Sequence, residues 1–246
     1  MYIINILKKI IIKTKTIKTI QTDKEECIIF GSGPSLDRLD ISSPFLEGKD
    51  LIGCNFIHQH KSLMNKKFKF FSMIDRGYTE QVNQSYFEGV ECDQFLISTK
   101  NAYLFKLTDL MRKKISVIKT KEFEINSPVD KRPIIFGSEL LTGNSLPFLI
   151  QCAAFLGRYK TIYLYGVDHF SFDDLQGDEN HNYDDYQGRK IKDLKMTREK
   201  LEYINSLYLF VKGICEQEGI KVINVTPHSK LDMFDKIVIT ELLNSN

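Results

Sequence analysis

Four short stretches of this chain carry residue types that can do chemistry. The first is Gly31-Ser32-Gly33-Pro34-Ser35-Leu36, directly after the apolar run Cys27-Ile28-Ile29-Phe30. Two glycines after a strand let the backbone turn sharply and approach a bound group, and the N–H groups of such a turn can cradle a phosphate. The plain alternative is a strand-to-loop turn. The loop is not the dinucleotide fingerprint, because Leu36 stands where the third glycine belongs, and no Gly-Lys-Ser/Thr of a Walker loop follows. The second stretch is Asn55, at the exit of the apolar run 51–54. The third is Asn144-Ser145, which opens the apolar stretch 146–156. Either residue can cap a helix start, where free N–H groups and the helix dipole favour an anion; a well-capped core helix is the alternative. The fourth is Ile162-Tyr163-Leu164-Tyr165-Gly166-Val167-Asp168-His169. Gly166 permits a tight turn and leaves Asp168 and His169 at the exit of a strand. Asp168 reads either as a magnesium ligand or as a buried hydrogen-bonding partner of the glycine loop.

These residues need elements to hold them. Short apolar runs predict strands over 27–30, 51–54, 68–74, 94–98, 115–118, 161–165 and 221–224. Helical patterns cover 102–113, 146–156 and 196–217. In the last, Leu201, Ile204, Leu207, Leu209, Val211 and Ile214 keep roughly one apolar stripe, and Gly219 supplies a stop signal. Strands separated by helices predict an α/β fold: a single Rossmann-like domain with a mainly parallel sheet and helices on both faces. In such sheets the ligand crevice lies outside the carboxyl ends of the strands. Gly31–Ser35, Asn55, Asp75-Arg76 and Gly166 to His169 all fall at those ends. Two loops are expected over 126–132, where Pro128 and Pro133 disfavour helix, and over 170–192. The second is long, polar, acidic and aromatic, and has the character of a lid over a site.

A length of 246 residues suits one sizeable domain, with 1–24 as a basic N-terminal extension and 25–246 as the α/β domain. A net charge of +2, with lysine and arginine spread widely beyond the N-terminal extension, gives no nucleic-acid footprint. The five cysteines are odd in number and lack Cys-x-x-Cys spacing, so they read as reduced thiols of a cytoplasmic protein, neither a disulfide framework nor a zinc site. His58, His60 and His228 have no metal-like spacing and read as surface or packing residues. Residues 1–20 hold nine Ile or Leu residues and five lysines, with no apolar run long enough to span a bilayer. They read as a simple extension or as a basic amphipathic segment resting on the inner face of the cytoplasmic membrane.

The ordered set Gly-Ser-Gly-Pro-Ser-Leu, Cys54-Asn55, Asn144-Ser145 before a helix ending Leu156-Gly157, and Ile162-Tyr163-Leu164-Tyr165-Gly166-Val167-Asp168 resembles successive motifs of bacterial sialyltransferases of glycosyltransferase family 42. The chain also resembles the 6-hydroxymethylpterin pyrophosphokinase MptE-like domain family. That likeness rests on Gly-Val-Asp-His, on Asn180-His181 with Asp185-Tyr186, and on Asn224-Val225-Thr226-Pro227 through Lys230-Leu231-Asp232-Met233-Phe234. The likeness to the sialyltransferases implies a CMP-sugar site made of Gly31, Ser32, Gly33, Pro34, Ser35, Asn55, Asn144, Ser145 and Gly166. Tyr183 and Tyr186 would supply hydroxyls to the phosphate. His181 would be the catalytic histidine, with His169 as its rival and Asp168 beside it. The sialyltransferases usually have Asn where this chain has Ser32, and this chain lacks the glycine that follows their Thr-Ser at the helix start.

Three functions compete. A glycosyltransferase would move an acidic sugar from a CMP donor to a surface glycan or lipid-linked glycan, with histidine as base and no cofactor. A pyrophosphokinase would need ATP and Mg²⁺; the acidic run Asp173, Asp174, Asp178, Glu179, Asp184 and Asp185 offers hard oxygen ligands or simply a solvated loop. A non-catalytic nucleotide-binding protein of polysaccharide biosynthesis is the third reading. A homo-oligomer is compatible with each.

Overall fold

The computed structural model describes residues 19–40, 42–74, 84–99, 114–169 and 198–244. Eight strands form one sheet: β1 (Glu26–Phe30), β2 (Asp50–Cys54), β3 (Phe68–Ser72), β4 (Cys92–Ser98), β5 (Ile115–Ile118), β8 (Thr161–Tyr165), β9 (Lys221–Asn224) and β10 (Asp235–Lys236). Their order is β10-β9-β8-β1-β2-β3-β4-β5, and every neighbouring pair is parallel. The short strands β6 (Thr120–Glu122) and β7 (Leu140–Thr142) pair separately, also in parallel. The expected α/β architecture is therefore present, and each run predicted as a strand lies in the large sheet.

Strand order explains where a ligand belongs. From β1 the chain winds outward through β2 to β5, then returns to β8 on the other side of β1 and winds the opposite way. The direction reverses between β1 and β8, which opens a crevice at their carboxyl ends. Alternation along the strands builds a core on each face. Cys27, Ile29, Ile52, Cys54 and Leu164 face one layer, and Ile28, Phe30, Phe71, Tyr163 and Tyr165 face the other. All five cysteines are free and buried.

The first layer is covered by α3 (Ser145–Gln151) with its π-helical continuation (Cys152–Leu156), and by α4 (Arg198–Gln217). Smaller helices are α1 (Gln84–Gly89), α2 (Arg132–Ile135) and α5 (Ile239–Asn244). The loop expected over 126–132 is present through Lys131, and the short helix α2 starts at Arg132, the last residue of that span, with Pro133 next. It sits in the first turn of α2, where its missing N–H is not needed. The stripe on α4 is corrected. Leu209 is 56% exposed, and Tyr208 is the buried residue at that turn. Gly219, at φ +70°, ends α4 with bonds from Ile220 N–H to the Cys215 carbonyl and from Gly219 N–H to the Glu216 carbonyl.

The helix expected over 102–113, the loop 170–192, Asp75-Arg76 and residues 1–18 lie outside the described residues. The chain joins the fold by Ile20, which is buried and donates its N–H to the Leu156 carbonyl. No helix among the described residues is long and apolar enough to cross a membrane.

Candidate functional site

The glycine loop is built against the exit of β8. Gly31 N–H donates to the Tyr165 carbonyl at 2.7 Å, and Gly33 N–H to the Gly166 carbonyl at 2.8 Å. A Cβ on Gly31 would overlap the Gly166 carbonyl, and one on Gly33 would overlap the Asp168 carboxylate. Gly166 stands at φ +73°, and a Cβ there would lie 2.6 Å from the Gly31 carbonyl oxygen. These glycines thus serve the contact of two backbone segments at the crevice. Pro34 then starts a 3₁₀ turn (Pro34–Arg38) for which Gly33 is the N-cap residue.

Asp168 closes this junction. Its carboxylate accepts from Ser35 Oγ at 2.7 Å and from Ser35 N–H at 3.1 and 3.3 Å. Of the two roles open to Asp168, the geometry displays the hydrogen-bonding partner of the loop. The β8 exit is braced from β9's side. Ser229 Oγ donates to the Val167 carbonyl at 2.6 Å, Val167 N–H donates to Thr226 Oγ1 at 3.1 Å, and Lys230 N–H donates to the Asp168 carbonyl at 2.7 Å. Asn224 Nδ2 donates to Ser229 Oγ and holds it in place. The Asn224-to-Phe234 pattern noted in the sequence has this physical content: it fixes the turn carrying Asp168.

His169 follows in the left-handed region at φ +61°. Its ring packs on Tyr208 of α4 at 5.5 Å, close to Asn205. Burial holds its pKa below the ordinary histidine value, against the opposing effect of Asn205.

One strand further along, Asn55 leaves β2 with φ +55°. Three contacts hold that conformation. Asn55 N–H donates to the Ser72 carbonyl at 2.9 Å, Tyr86 Oη donates to the Asn55 carbonyl at 2.6 Å, and Asn55 Nδ2 lies 3.5 Å from Ser145 Oγ. Asn55 is 9% exposed, and its Oδ1 is buried without a hydrogen-bond partner. Whichever way the amide is turned, one of its polar atoms stays open. A buried polar atom without a partner is costly and calls for a ligand group or water. Ser145 belongs to α3, whose start is capped by Asn144: Oδ1 accepts from Leu146 N–H at 3.1 Å. So Gly31, Asn55 and Ser145 come from β1, the adjacent β2 and α3 to one end of the sheet.

Sequence reasoning did not single out Tyr86. It is buried among Phe56, His58, Phe87 and Phe95, and an aromatic in a short helix carries no signal of a carbonyl two elements away. Gln151 was also unmarked. It is fully buried within apolar α3, and its amide clamps β7 by accepting from Leu141 N–H at 2.8 Å and donating to the Leu141 carbonyl at 3.1 Å. His60 is buried beside Asp37, and His58 packs among aromatic rings, which agrees with packing roles. His181, Tyr183, Tyr186 and the acidic run lie outside the described residues. Among the described residues, no group of three His, Cys, Asp or Glu side chains is placed to hold a metal ion.

No protein-family model matches the chain, so the likeness to the pterin pyrophosphokinase family gains no support. No curated protein sequence matches it significantly. Solved structures do match. The chain is similar to the monofunctional alpha-2,3-sialyltransferase Cst-I from Campylobacter jejuni at 18% identity, over 90% of this chain and 83% of that one, with a TM-score of 0.52. It is similar to the sialyltransferase CstII from Campylobacter jejuni, solved with the substrate analogue cytidine-5'-monophosphate, at 20% identity over 89% and 86% of the two chains, with a TM-score of 0.51. At these identities the likeness establishes a shared fold, that of the family 42 sialyltransferases.

Proposed function

We propose that the protein is a glycosyltransferase that moves an acidic, sialic-acid-like sugar from a CMP-activated donor to a surface-glycan or lipid-linked acceptor. The observation that carries this reading is the open, buried amide of Asn55. It lies beside Ser145, one strand from the glycine loop, at the end of the sheet where ligands bind in such folds. The shared fold supports the choice of CMP: the solved CstII is bound to the substrate analogue cytidine-5'-monophosphate.

The chemistry follows from the donor. The bond from the sugar's anomeric carbon to the CMP phosphate oxygen breaks, and a bond to the acceptor oxygen forms. A base must take the acceptor's proton, and an imidazole with a pKa of about 6.5 suits that task near neutral pH. His181 fills that role, and His169, packed on α4, does not. Tyr183 and Tyr186 hydroxyls stabilise the departing phosphate. The reaction so written needs no metal.

The test is CMP release from a CMP-activated sialic acid in the presence of an oligosaccharide acceptor, with and without EDTA. Turnover that survives EDTA is expected. His181→Asn should keep CMP affinity and lose about 10²–10⁴-fold in turnover, the usual range for a general base. Near-normal turnover by that variant would remove His181 from the mechanism. ATP-dependent, Mg²⁺-dependent phosphorylation of a pterin, with no cytidine response, would replace the whole reading.

A further inference from the structure

The turn that delivers Ser145 is held by more than its own cap. β7 ends at Thr142, and the chain passes Gly143 and Asn144 before α3 begins at Ser145. On one side Gln151 clamps Leu141. On the other stands Tyr203, in the second turn of α4. Its hydroxyl donates to the Phe123 carbonyl at 3.1 Å and lies 3.5 Å from the Thr142 carbonyl. Phe123 directly follows β6 and Thr142 closes β7, so one hydroxyl spans the ends of both strands. Burial, with Glu122 nearby, pushes the Tyr203 pKa up, so the hydroxyl keeps its proton and remains a donor. Gly143 makes room for it. Gly143 stands at φ +148°, and a Cβ there would lie 2.4 Å from the Tyr203 hydroxyl oxygen. The ring is held separately, against Phe123 at 5.8 Å, so the hydroxyl can be removed without removing the packing.

The same helix carries a second contact. Tyr208 packs on His169 at the exit of β8. Five residues, about 7.5 Å of helix, separate the two tyrosines. Ile204, Leu207 and Tyr208 are buried in the core. A close-packed helix cannot shift at one contact while the other stays. α4 therefore fixes how far the β7–α3 turn lies from the turn of Gly166 and Asp168. Ser145 belongs to the first turn, and its Oγ meets the Asn55 amide at 3.5 Å. That distance is beyond the usual range of a hydrogen bond, so a displacement of a few tenths of an ångström changes what the pair can share with a ligand.

We propose that Tyr203 is a positioning residue of the candidate nucleotide site: its hydroxyl sets the β7–α3 turn and so the place at which Ser145 meets Asn55. Tyr203 acts through the turn and its hydroxyl bonds neither residue. Without the hydroxyl, the Phe123 carbonyl loses that donor and the turn relaxes. The proposal rests on reading this end of the sheet as a nucleotide site, and its test separates the two.

The measurement is titration of CMP into the wild type, Tyr203→Phe, Ser145→Ala and the double variant, with melting curves to verify folding. Tyr203→Phe should weaken CMP binding about 2–10-fold, the usual effect of one hydrogen bond. In the Ser145→Ala background it should cause no further loss, because the group it positions is gone. Tyr163→Phe removes a hydroxyl bonded to Glu26 at the start of β1 and should bind CMP as the wild type does. Amide hydrogen exchange gives a second readout that needs no ligand. Leu146 and Phe148, whose N–H groups bond Asn144, should exchange faster in Tyr203→Phe, while the amides of β8 keep their wild-type rates. Equal losses of CMP affinity in both Ser145 backgrounds, or unchanged exchange at Leu146 and Phe148, would overturn the proposal. Equally faster exchange in β8 would mark a general loss of stability and would also overturn it. A wild type that binds no CMP would overturn the nucleotide reading instead, with the exchange rates still deciding whether Tyr203 holds the turn.

Discussion

Asn55 concentrates the strain and the open valence of the site in one residue. Its left-handed backbone costs little for an asparagine, and glycine would adopt it freely. Asn55→Gly should therefore leave the melting temperature unchanged or raised, while nucleotide affinity falls, because only the amide is lost. Tyr86 acts through Asn55. Tyr86→Phe leaves a buried carbonyl without its donor, at a cost of about 1–3 kcal/mol. If Tyr86 positions the amide, Tyr86→Phe weakens nucleotide binding in the Asn55 background and has no further effect on binding in Asn55→Gly. Titrations of the four proteins read that coupling directly; equal losses in both backgrounds would make Tyr86 a packing residue only. Asp168 yields to the same logic. Asp168→Asn and Ser35→Ala should each lower the melting temperature, and the double variant should lose much less than their sum, since both break one junction. Additive losses would separate Asp168 from the loop.

At the scale of elements, the strands of the large sheet were the legible part. Runs such as Cys27-Ile28-Ile29-Phe30 and Thr161-Ile162-Tyr163-Leu164-Tyr165 are continuous and rich in β-branched and aromatic residues, as strands buried on both faces must be. Strands of two or three residues, β6, β7 and β10, carry no period long enough to read. Leu209 and Tyr208 changed places because a one-residue rotation on α4 exchanges a buried side chain for an exposed one, and hydrophobicity alone favours Leu. The glycine loop was legible as a turn that needs glycine. Asp168 was readable as one possible partner of that loop; what was not legible is the close approach of the Gly166 carbonyl, which only the strand order brings there from the far half of the chain. The histidines add a prediction at this scale. Burial lowers the pKa of both His60 and His169. On acidification the unfolded chain is protonated first, near pH 6.5, so their contribution to stability is complete above that value and is lost as pH falls through it toward the depressed folded values. The melting temperature should drop between pH 7 and pH 5. His169→Asn, which keeps a residue that tolerates the left-handed backbone there, should show a shallower drop; identical slopes would assign the effect elsewhere.

The whole molecule is polar along its strands. One end gathers the turns that follow β1, β2 and β8, with Asn55 open between them. The other gathers lysines at, or one or two residues before, the starts of β1, β2, β3, β5, β8 and β9. A parallel sheet makes this separation possible, since all its strands start at one edge and finish at the other. The central claim is that the finishing edge binds a cytidine nucleotide without a metal. The most direct measurement is a thermal-shift panel of CMP, CDP, UDP, GDP, ATP and AMP, each with and without Mg²⁺, on the wild type and on Asn55→Gly. A ligand that binds only the native state raises the melting temperature, by about 2.7 kcal/mol of added stability at one hundred times its Kd. CMP should give the largest shift, unchanged by Mg²⁺ and lost in Asn55→Gly. A shift with ATP that requires Mg²⁺, with no response to CMP, would contradict the account.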